Sequence, residues 1–212
     1  LVGSEMCIRD SAATVIKNLE KRQMEGYYCP TVEDAEKLAF SFLKDGQTIS
    51  FGGSMTLEET GMLTALRHDP SIHLIDRSTA KTPDETKKMY HDALSSDVYF
   101  MSTNAITTGG ELVNIDGTGN RVAALIYGPE TVVILAGMNK IAANVDEALS
   151  RVHNVATAQN CIRLDKKTPC AITGACADCL SPDCICNQVV ITRRSGIKGR
   201  IKVLLIGESF GY

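Results

Sequence analysis

The sequence predicts an α/β protein with a mainly parallel sheet flanked by helices. Patterns typical of strands and of helices alternate along most of the chain, as they do in proteins whose helices cover both faces of a sheet. Residues 131–136 form a β-branched and apolar run, which is typical of a strand buried on both sides. Gly52 and Gly53 lie between a predicted strand and a predicted helix, at the edge where parallel sheets bind ligands.

In the first half of the chain, helix signals separate the predicted strands. The strands are residues 48–51, 72–75 and 98–101. The helices are residues 11–24 and the segments that begin near Thr31, Thr56 and Thr82, each with apolar residues at helical spacing. Thr56 and Glu59 form a capping-box pattern. Thr82 is followed by a proline and an acidic residue, which is a frequent helix start.

The second half of the chain opens with a polar segment, residues 104–121, and then returns to regular elements. A helix is predicted over 122–127, a strand over 131–136, a helix capped by Asn144, and strands over 189–192 and 201–206. No internal repeat or low-complexity linker divides the chain, so residues 11–212 are predicted to form one domain. Residues 1–10 lack periodicity and are interpreted as a non-native or disordered N-terminus.

Composition narrows the class of protein. The chain has 212 residues, of which 44% are apolar and 22% are charged, so it is predicted to be globular. Its formal net charge of -3 argues against a nucleic-acid partner, because phosphate binding needs concentrated Lys and Arg. We find no apolar run of the roughly 20 residues that span a bilayer and no secretory signal pattern. A cytoplasmic location is therefore expected.

The glycine loop, Gly52-Gly53-Ser54, has two interpretations. Glycines allow a ligand close to the backbone, and the following helix start offers free N–H groups to an anion. With the hydroxyls of Ser54 and Thr56, the loop would then form a subsite for an anion or a carboxylate. The alternative is a tight turn followed by a helix cap. The loop matches neither of the common nucleotide-binding fingerprints.

The polar segment 104–121 also has two interpretations. It contains candidate substrate-binding amides, Asn104 and Asn120, and a candidate catalytic group, namely Glu111, Asn114, Asp116 and Arg121. Glu111 would act as a general base or nucleophile if burial tuned its pKa, and Arg121 would hold a carboxylate. The alternative is a β-hairpin, because Gly109-Gly110 and Asp116-Gly117 are strong turn sequences. In that case Asn120 would cap the next helix and Arg121 would pair with Asp116.

Five of the eight cysteines lie between positions 170 and 186. Cys176 and Cys179 have the C-x-x-C spacing that lets two thiolates face one metal ion, and Cys170 and Cys186 are near enough to complete a four-cysteine set. Cys184 is a spare or alternative ligand. Thiolates favour zinc or an iron–sulfur cluster, but the spacing matches neither a zinc ribbon nor a ferredoxin. A thiol–disulfide switch and free buried cysteines are the remaining alternatives.

Four stretches of the sequence resemble the lactate-utilisation (LUD) domain family over roughly residues 17–212. They read SFGGSMTLEETGML, NAITTGGELVNIDGTGNRVAALIYGPETVVILAGMNKIAANVDEALSRV, TPCAITGACADCLSPDCICN and GRIKVLLIGESFGY. The likeness is greatest to short, stand-alone members with a cysteine-rich insert, here residues 170–186. It implies a fold like that of the NagB/RpiA/CoA-transferase-like group. It also implies Cys170, Cys176, Cys179 and Cys186 as metal ligands, although Cys184 stands where relatives carry a basic residue.

The residues and the resemblance together leave three competing functions open. The first is an accessory component of lactate or other organic-acid oxidation, which would bind a small anionic substrate and work beside iron–sulfur or flavin oxidoreductase subunits. The second is a stand-alone enzyme for sugar-phosphate or acyl substrates that uses Glu111. The third is a regulatory or binding module stabilised by zinc. Fold supports these functions only weakly, because one fold hosts many chemistries. The sequence leaves a homo-oligomer open.

Overall fold

The computed structural model describes residues 2–212, with side chains from Met6 onward. In chain order the helices are α1 (Val2–Lys21), α2 (Val32–Phe40), α3 (Met55–Glu59), α4 (Met62–His68), α5 (Pro83–Ala93), α6 (Asn120–Ile126), α7 (Val145–Arg151), α8 (Ala158–Arg163) and α9 (Pro169–Thr173). Turns of 3₁₀ helix span Arg77–Thr79 and Met138–Lys140, and a π-helical stretch, Val152–Thr157, joins α7 to α8. Within the described residues, no helix is both long enough and apolar enough to cross a membrane.

The strands form two sheets. They are β1 (Glu25–Cys29), β2 (Thr48–Phe51), β3 (His73–Ile75), β4 (Val98–Met101), β5 (Ala105–Thr107), β6 (Leu112–Asp116), β7 (Thr131–Gly137), β8 (Ile141–Ala142), β9 (Gln188–Thr192) and β10 (Ile201–Ile206). The first sheet has the order β1-β10-β7-β4-β2-β3, and all of its strands are parallel. The second sheet has the order β8-β5-β6-β9 and includes antiparallel pairs.

The six-stranded sheet confirms the predicted α/β class. Strand β7 lies inside it between β10 and β4, and its side chains alternate between two apolar cores. Val132 and Ile134 pack into the core that contains the buried face of α1, whereas Val133 and Leu135 pack into the core beside α2, α3 and α4. Neither face of β7 is exposed to solvent, so both faces carry apolar side chains. This explains the continuous apolar run in the sequence.

Helix caps account for several element starts. Thr31, Thr82 and Asn144 each accept a hydrogen bond from the backbone N–H three residues later, at the starts of α2, α5 and α7. The capping box expected at Thr56 is wrong, because Ser54 caps α3 by accepting from the Leu57 N–H at 3.3 Å. Helix α1 begins at Val2, so residues 2–10 continue the helix predicted over 11–24. Their non-native origin stays a prediction, and Leu1 lies outside the described residues.

The second sheet departs from the expectation of one sheet. The polar segment enters it as the antiparallel pair β5 and β6, so the hairpin interpretation is confirmed there. Strand β9, predicted as a strand over 189–192, pairs with β6 in this second sheet. The arrangement matters for the site, because the chain leaves β4 for the second sheet and returns through α6 to β7. The carboxyl ends of β2, β4 and β7 therefore face residues contributed by the second sheet.

Candidate functional site

A cavity of about 480 Å³ lies at the carboxyl ends of the parallel strands. Residues that follow β2, β3, β4, β7 and β10 line it, as expected for ligand sites in open α/β sheets. The side chains that matter for its chemistry are Ser54, Thr56, Arg77, Ser102, Asn104, Asp116, Asn120, Arg121, Lys140, Arg163, Lys166 and Asp183. The structure thus brings together most of the predicted glycine loop and much of the predicted polar segment.

Lys140 is the most unusual group in this cavity. It ends the 3₁₀ turn that follows β7, and its side chain is almost fully buried, with a relative exposure of 3%. Its Nζ donates to Thr56 Oγ1 at 2.8 Å and to Ser102 Oγ at 3.0 Å. Burial, and then the positive charges of Arg151 and Arg121, lower the pKa of Lys140 from 10.5 to about 7. No ion pair joins Lys140 to a carboxylate among residues 6–212, whose side chains the structure describes.

Arg121 holds the base of the polar segment together. Its Nη1 donates to Ser102 O at 3.1 Å and to Asn114 Oδ1 at 2.6 Å. Its Nη2 donates to Asn104 Oδ1 at 3.0 Å and to Ile115 O at 2.7 Å. Both terminal nitrogens of the Arg121 guanidinium donate hydrogen bonds to protein acceptors. Arg121 is therefore not available to bind a substrate carboxylate with paired hydrogen bonds. Its contacts instead fix β4, β5 and β6 relative to one another.

Asp116 anchors the backbone at the start of α6. Its Oδ1 accepts from the N–H groups of Thr118 at 3.1 Å and Gly119 at 2.8 Å, and its Oδ2 accepts from Val122 N–H at 3.3 Å. Oδ2 also lies 3.6 Å from Arg121 Nε, so the predicted pair with Arg121 is present. Asn120 does not cap the helix, since the cap position is Gly119 in a left-handed conformation. The catalytic roles assigned to Asn114, Asp116 and Arg121 stay predictions.

Glu111 lies outside the cavity. It follows the β5–β6 turn, where it forms an ion pair with Arg22, the residue after α1, and accepts a hydrogen bond from Thr107 Oγ1. Arg22 also donates to Gly109 O at 2.6 Å, so these groups tie the hairpin tip to α1. Glu111 is therefore not brought together with the other predicted site residues, and its contacts are those of a hairpin anchor.

A second cation of the cavity, Arg77, lies against the glycine loop. The guanidinium of Arg77 lies against the backbone of Gly53, in the space that a Cβ would need, so a glycine is required for this packing. Arg77 stacks over the ring of Tyr90 at 5.8 Å and donates to its hydroxyl at 3.3 Å. Gly52 packs against the Arg121 side chain rather than lining the cavity. The sequence patterns single out neither Arg77 nor Lys140.

The charge of the cavity is opposite to that of the chain. Its lining contains five cationic side chains and two carboxylates. One of the carboxylates, Asp116, is engaged with backbone N–H groups and Arg121. Behind the lining, the half-buried Arg151 donates to Asn104 O at 2.8 Å and to Asn139 O at 3.1 Å, and burial lowers its pKa. Buried cations cost free energy until an opposite charge joins them, so the cavity favours anions.

The cysteines line a second cavity of about 300 Å³. Its thiols are those of Cys161, Cys170, Cys176, Cys179, Cys184 and Cys186, and the ring of His153 joins them. Cys161, interpreted from sequence as ordinary, is therefore part of the cluster. The two cavities share a wall made of Thr157, Cys184 and Ile185.

The thiols are clustered without converging on a point. Cys184 Sγ lies 3.1 Å from Cys186 Sγ, and Cys176 Sγ lies 3.6 Å from His153 Nδ1. Among the side chains of residues 6–212, however, no group of three or more His, Cys, Asp or Glu residues is arranged to hold a metal ion. Burial, and then the neighbouring Cys184, raise the pKa of the Cys186 thiol to about 12. Thiol groups are suitable ligands for zinc or iron, but these thiols are not positioned to bind one metal ion together.

Comparison with known proteins gives a family and a fold. The LUD domain family model matches residues 12–206. No curated protein matches the sequence. The structure is similar to that of a DUF162 family protein from Deinococcus radiodurans, with 12% identity, a TM-score of 0.54, and coverage of 94% of this chain and 98% of that chain. At this identity the likeness supports the α/β fold alone.

Two further likenesses are partial. The eIF2B delta protein from Chaetomium thermophilum is 19% identical, with a TM-score of 0.37 over 56% of this chain and 50% of that chain. Ribose 5-phosphate isomerase from Plasmodium falciparum is 16% identical, with a TM-score of 0.33 over 53% of this chain and 52% of that chain. Both are too partial to add to the argument.

Proposed function

The chain belongs to the LUD domain family, and on that premise we propose that it is an accessory component of lactate or related organic-acid oxidation. In this role it binds a small organic anion in the cavity beside Lys140, within the cytoplasm, and works with iron–sulfur or flavin oxidoreductase subunits. The observation that carries the proposal is the cationic lining of a cavity in a chain whose net charge is negative.

The size and chemistry of the cavity support a small anion. A volume of about 480 Å³ admits a short organic acid together with several waters. Arg77 is the cation best placed to receive a carboxylate, because its hydrogen-bonding groups are only partly used by Tyr90. Arginine presents paired donors that match the two oxygens of a carboxylate. Thr118 and Asn120 add neutral polar groups to the same wall.

We expect calorimetric titration with lactate, pyruvate and inorganic phosphate to detect binding of at least one of these anions at low salt. Arg77→Met should weaken that affinity about tenfold, since a hydrogen bond to a charged group contributes roughly 1.5–3 kcal/mol. Arg193→Met is a matched control, because Arg193 is exposed and lies outside the cavity lining. The Arg193→Met variant should bind the anion with the same affinity as the unmodified protein. Failure of all three anions to bind at millimolar concentration would refute the proposed site.

The cysteine cavity is the second part of the proposal. Cys170, Cys176, Cys179 and Cys186 would hold zinc or an iron–sulfur cluster, and Cys184 or Cys161 would replace one of them. A cluster would supply one-electron transfer, whereas zinc would stabilise the segment. Because these thiols do not converge on a common point, metal binding would have to draw residues 170–186 together. No step at the anion cavity depends on it.

Protein purified without oxygen is expected to contain one metal centre per chain. Iron with sulfide and broad visible absorption would indicate a cluster, and zinc alone would indicate a stabilising site. In either case Cys176→Ser together with Cys179→Ser should remove most of the metal, whereas Cys29→Ser should leave it, since Cys29 is buried in the core beside α2. Metal content near zero in the unmodified protein would rule out the metal site and leave the anion site untouched.

A further inference from the structure

Two hydroxyl groups hold the nitrogen of Lys140 in place. Ser102 Oγ donates its own hydrogen to Thr103 O at 3.3 Å, and Thr56 Oγ1 donates to Phe210 O at 3.3 Å. Each hydroxyl can therefore only accept from Lys140 Nζ. A neutral amine has two hydrogens, which these two hydroxyls consume. Its lone pair is then the remaining tetrahedral position, and Lys140 lines the cavity.

The charges that surround Lys140 favour this neutral form. Arg151 of α7 and Arg121 of α6 repel its ammonium, and Glu59 at the end of α3 is the carboxylate that opposes them. Glu59 is exposed, and its Oε2 accepts from Gly211 N–H at 2.6 Å rather than from Lys140. Desolvation adds to the repulsion, because a nearly buried ammonium loses its hydration. A fraction of the molecules near neutral pH therefore carries a free amine at this position.

We propose that Lys140 is a nucleophile that forms a Schiff base with an organic anion bearing a carbonyl group, of the 2-oxo acid class. The inference rests on the proposed function, since the same cavity must first bind the anion. In this proposal the Lys140 amine forms the covalent bond, and the surrounding cations, above all Arg77, bind the carboxylate of the same anion. Buried lysines with lowered pKa values are suited to this use, because the neutral amine attacks carbonyl carbons.

The proposed step is balanced without a redox partner. The lone pair of Nζ forms a bond to the carbonyl carbon, and the carbonyl oxygen takes up a proton as the nitrogen releases one. The resulting hydroxyl then takes up the second proton of the nitrogen and leaves as water while the carbon–nitrogen double bond forms. Amine and carbonyl compound thus give an imine and one water, and no atom is oxidised or reduced. The neighbouring hydroxyls of Ser102 and Thr56 hold the nitrogen in place during the attack.

Reductive trapping tests the proposal. The full chain is incubated with pyruvate and cyanoborohydride near neutral pH, digested, and examined by mass spectrometry for lysines that carry a reduced pyruvyl group. We expect Lys140 to be modified at least about tenfold faster than an exposed lysine, because a lysine of ordinary pKa is almost wholly protonated there. Lys88 is the matched internal reference, since it is exposed and its ammonium pairs with Asp92.

The outcomes separate this inference from the proposed function. Modification of Lys140 at or below the level of Lys88 would overturn the inference, and this readout in the unmodified protein depends on no variant. Lys140→Met should lose the preferential adduct while the modification of Lys88 persists. Lactate supplies the same carboxylate without the carbonyl, so calorimetric binding of lactate with no adduct at Lys140 would leave the anion site standing and remove the covalent step alone.

Discussion

Replacing Arg121 with lysine is expected to lower the free energy of unfolding by about 3 kcal/mol and to abolish anion binding. The guanidinium satisfies two backbone carbonyls and two side-chain amide oxygens at once, through Ser102, Ile115, Asn104 and Asn114. A lysine ammonium is a point charge on a flexible stem and cannot reach four acceptors in one plane. Each buried acceptor left without a donor costs roughly 1–3 kcal/mol.

Urea denaturation measures the first effect and calorimetry the second. Arg193→Lys is the matched control, because the exposed Arg193 side chain lies outside the cavity and its replacement should change the free energy of unfolding by less than about 0.5 kcal/mol. An Arg121→Lys variant as stable as this control would show that the four contacts do not organise the segment. Retained anion binding would show that the segment's position is irrelevant to the site.

Lys140→Met is expected to make the protein more stable at acidic pH than the unmodified chain. Below a pH of about 7 the folded protein carries a buried ammonium, which costs roughly 5 kcal/mol for the lowering of its pKa from 10.5. Methionine has a similar length and no charge to bury. The loss of the hydrogen bonds to Thr56 and Ser102 reduces this gain in stability by a smaller amount, which does not vary with pH.

The pH dependence is the signature of this effect. Between pH 7 and pH 10.5 the unfolded chain keeps the proton that folded Lys140 has released, so the stability of the unmodified protein rises with pH across this range. The advantage of Lys140→Met should therefore be greatest near about pH 6 and fall by about half near about pH 9. Lys88→Met, at an exposed ion pair, should show no such trend. A difference that is constant with pH would contradict the lowered pKa.

The elements that could be predicted were those whose signals are local. Thr31, Thr82 and Asn144 cap the helices that they were expected to cap, because a cap depends on residues within one turn. The strand at 131–136 was predictable because burial on both faces excludes polar residues from it. The capping box predicted at Thr56 was wrong because the Thr56 hydroxyl forms hydrogen bonds with Lys140 and Phe210 rather than with its own helix. Both partners lie far along the chain.

The candidate site was predictable only where several polar residues are close in sequence. Asn104, Asp116, Asn120 and Arg121 stand out as a segment, and they do line the cavity. Lys140 does not stand out, since its environment is created by partners 84 and 38 residues away. A lysine next to a strand end has no pattern of its own. Glu111 shows the converse error, because an acid in a polar run need not face the site.

The wall shared by the two cavities connects the two sites of the proposed function. Thr157, Cys184 and Ile185 line both the cavity beside Lys140 and the cysteine cavity. If metal binding draws the cysteine segment together, as proposed, it would move residues that also line the proposed anion site. By linkage, whatever factor the state of the thiols imposes on anion affinity, the anion imposes on the state of the thiols. Under the proposed function, anion binding and the state of the thiols would therefore form one coupled equilibrium.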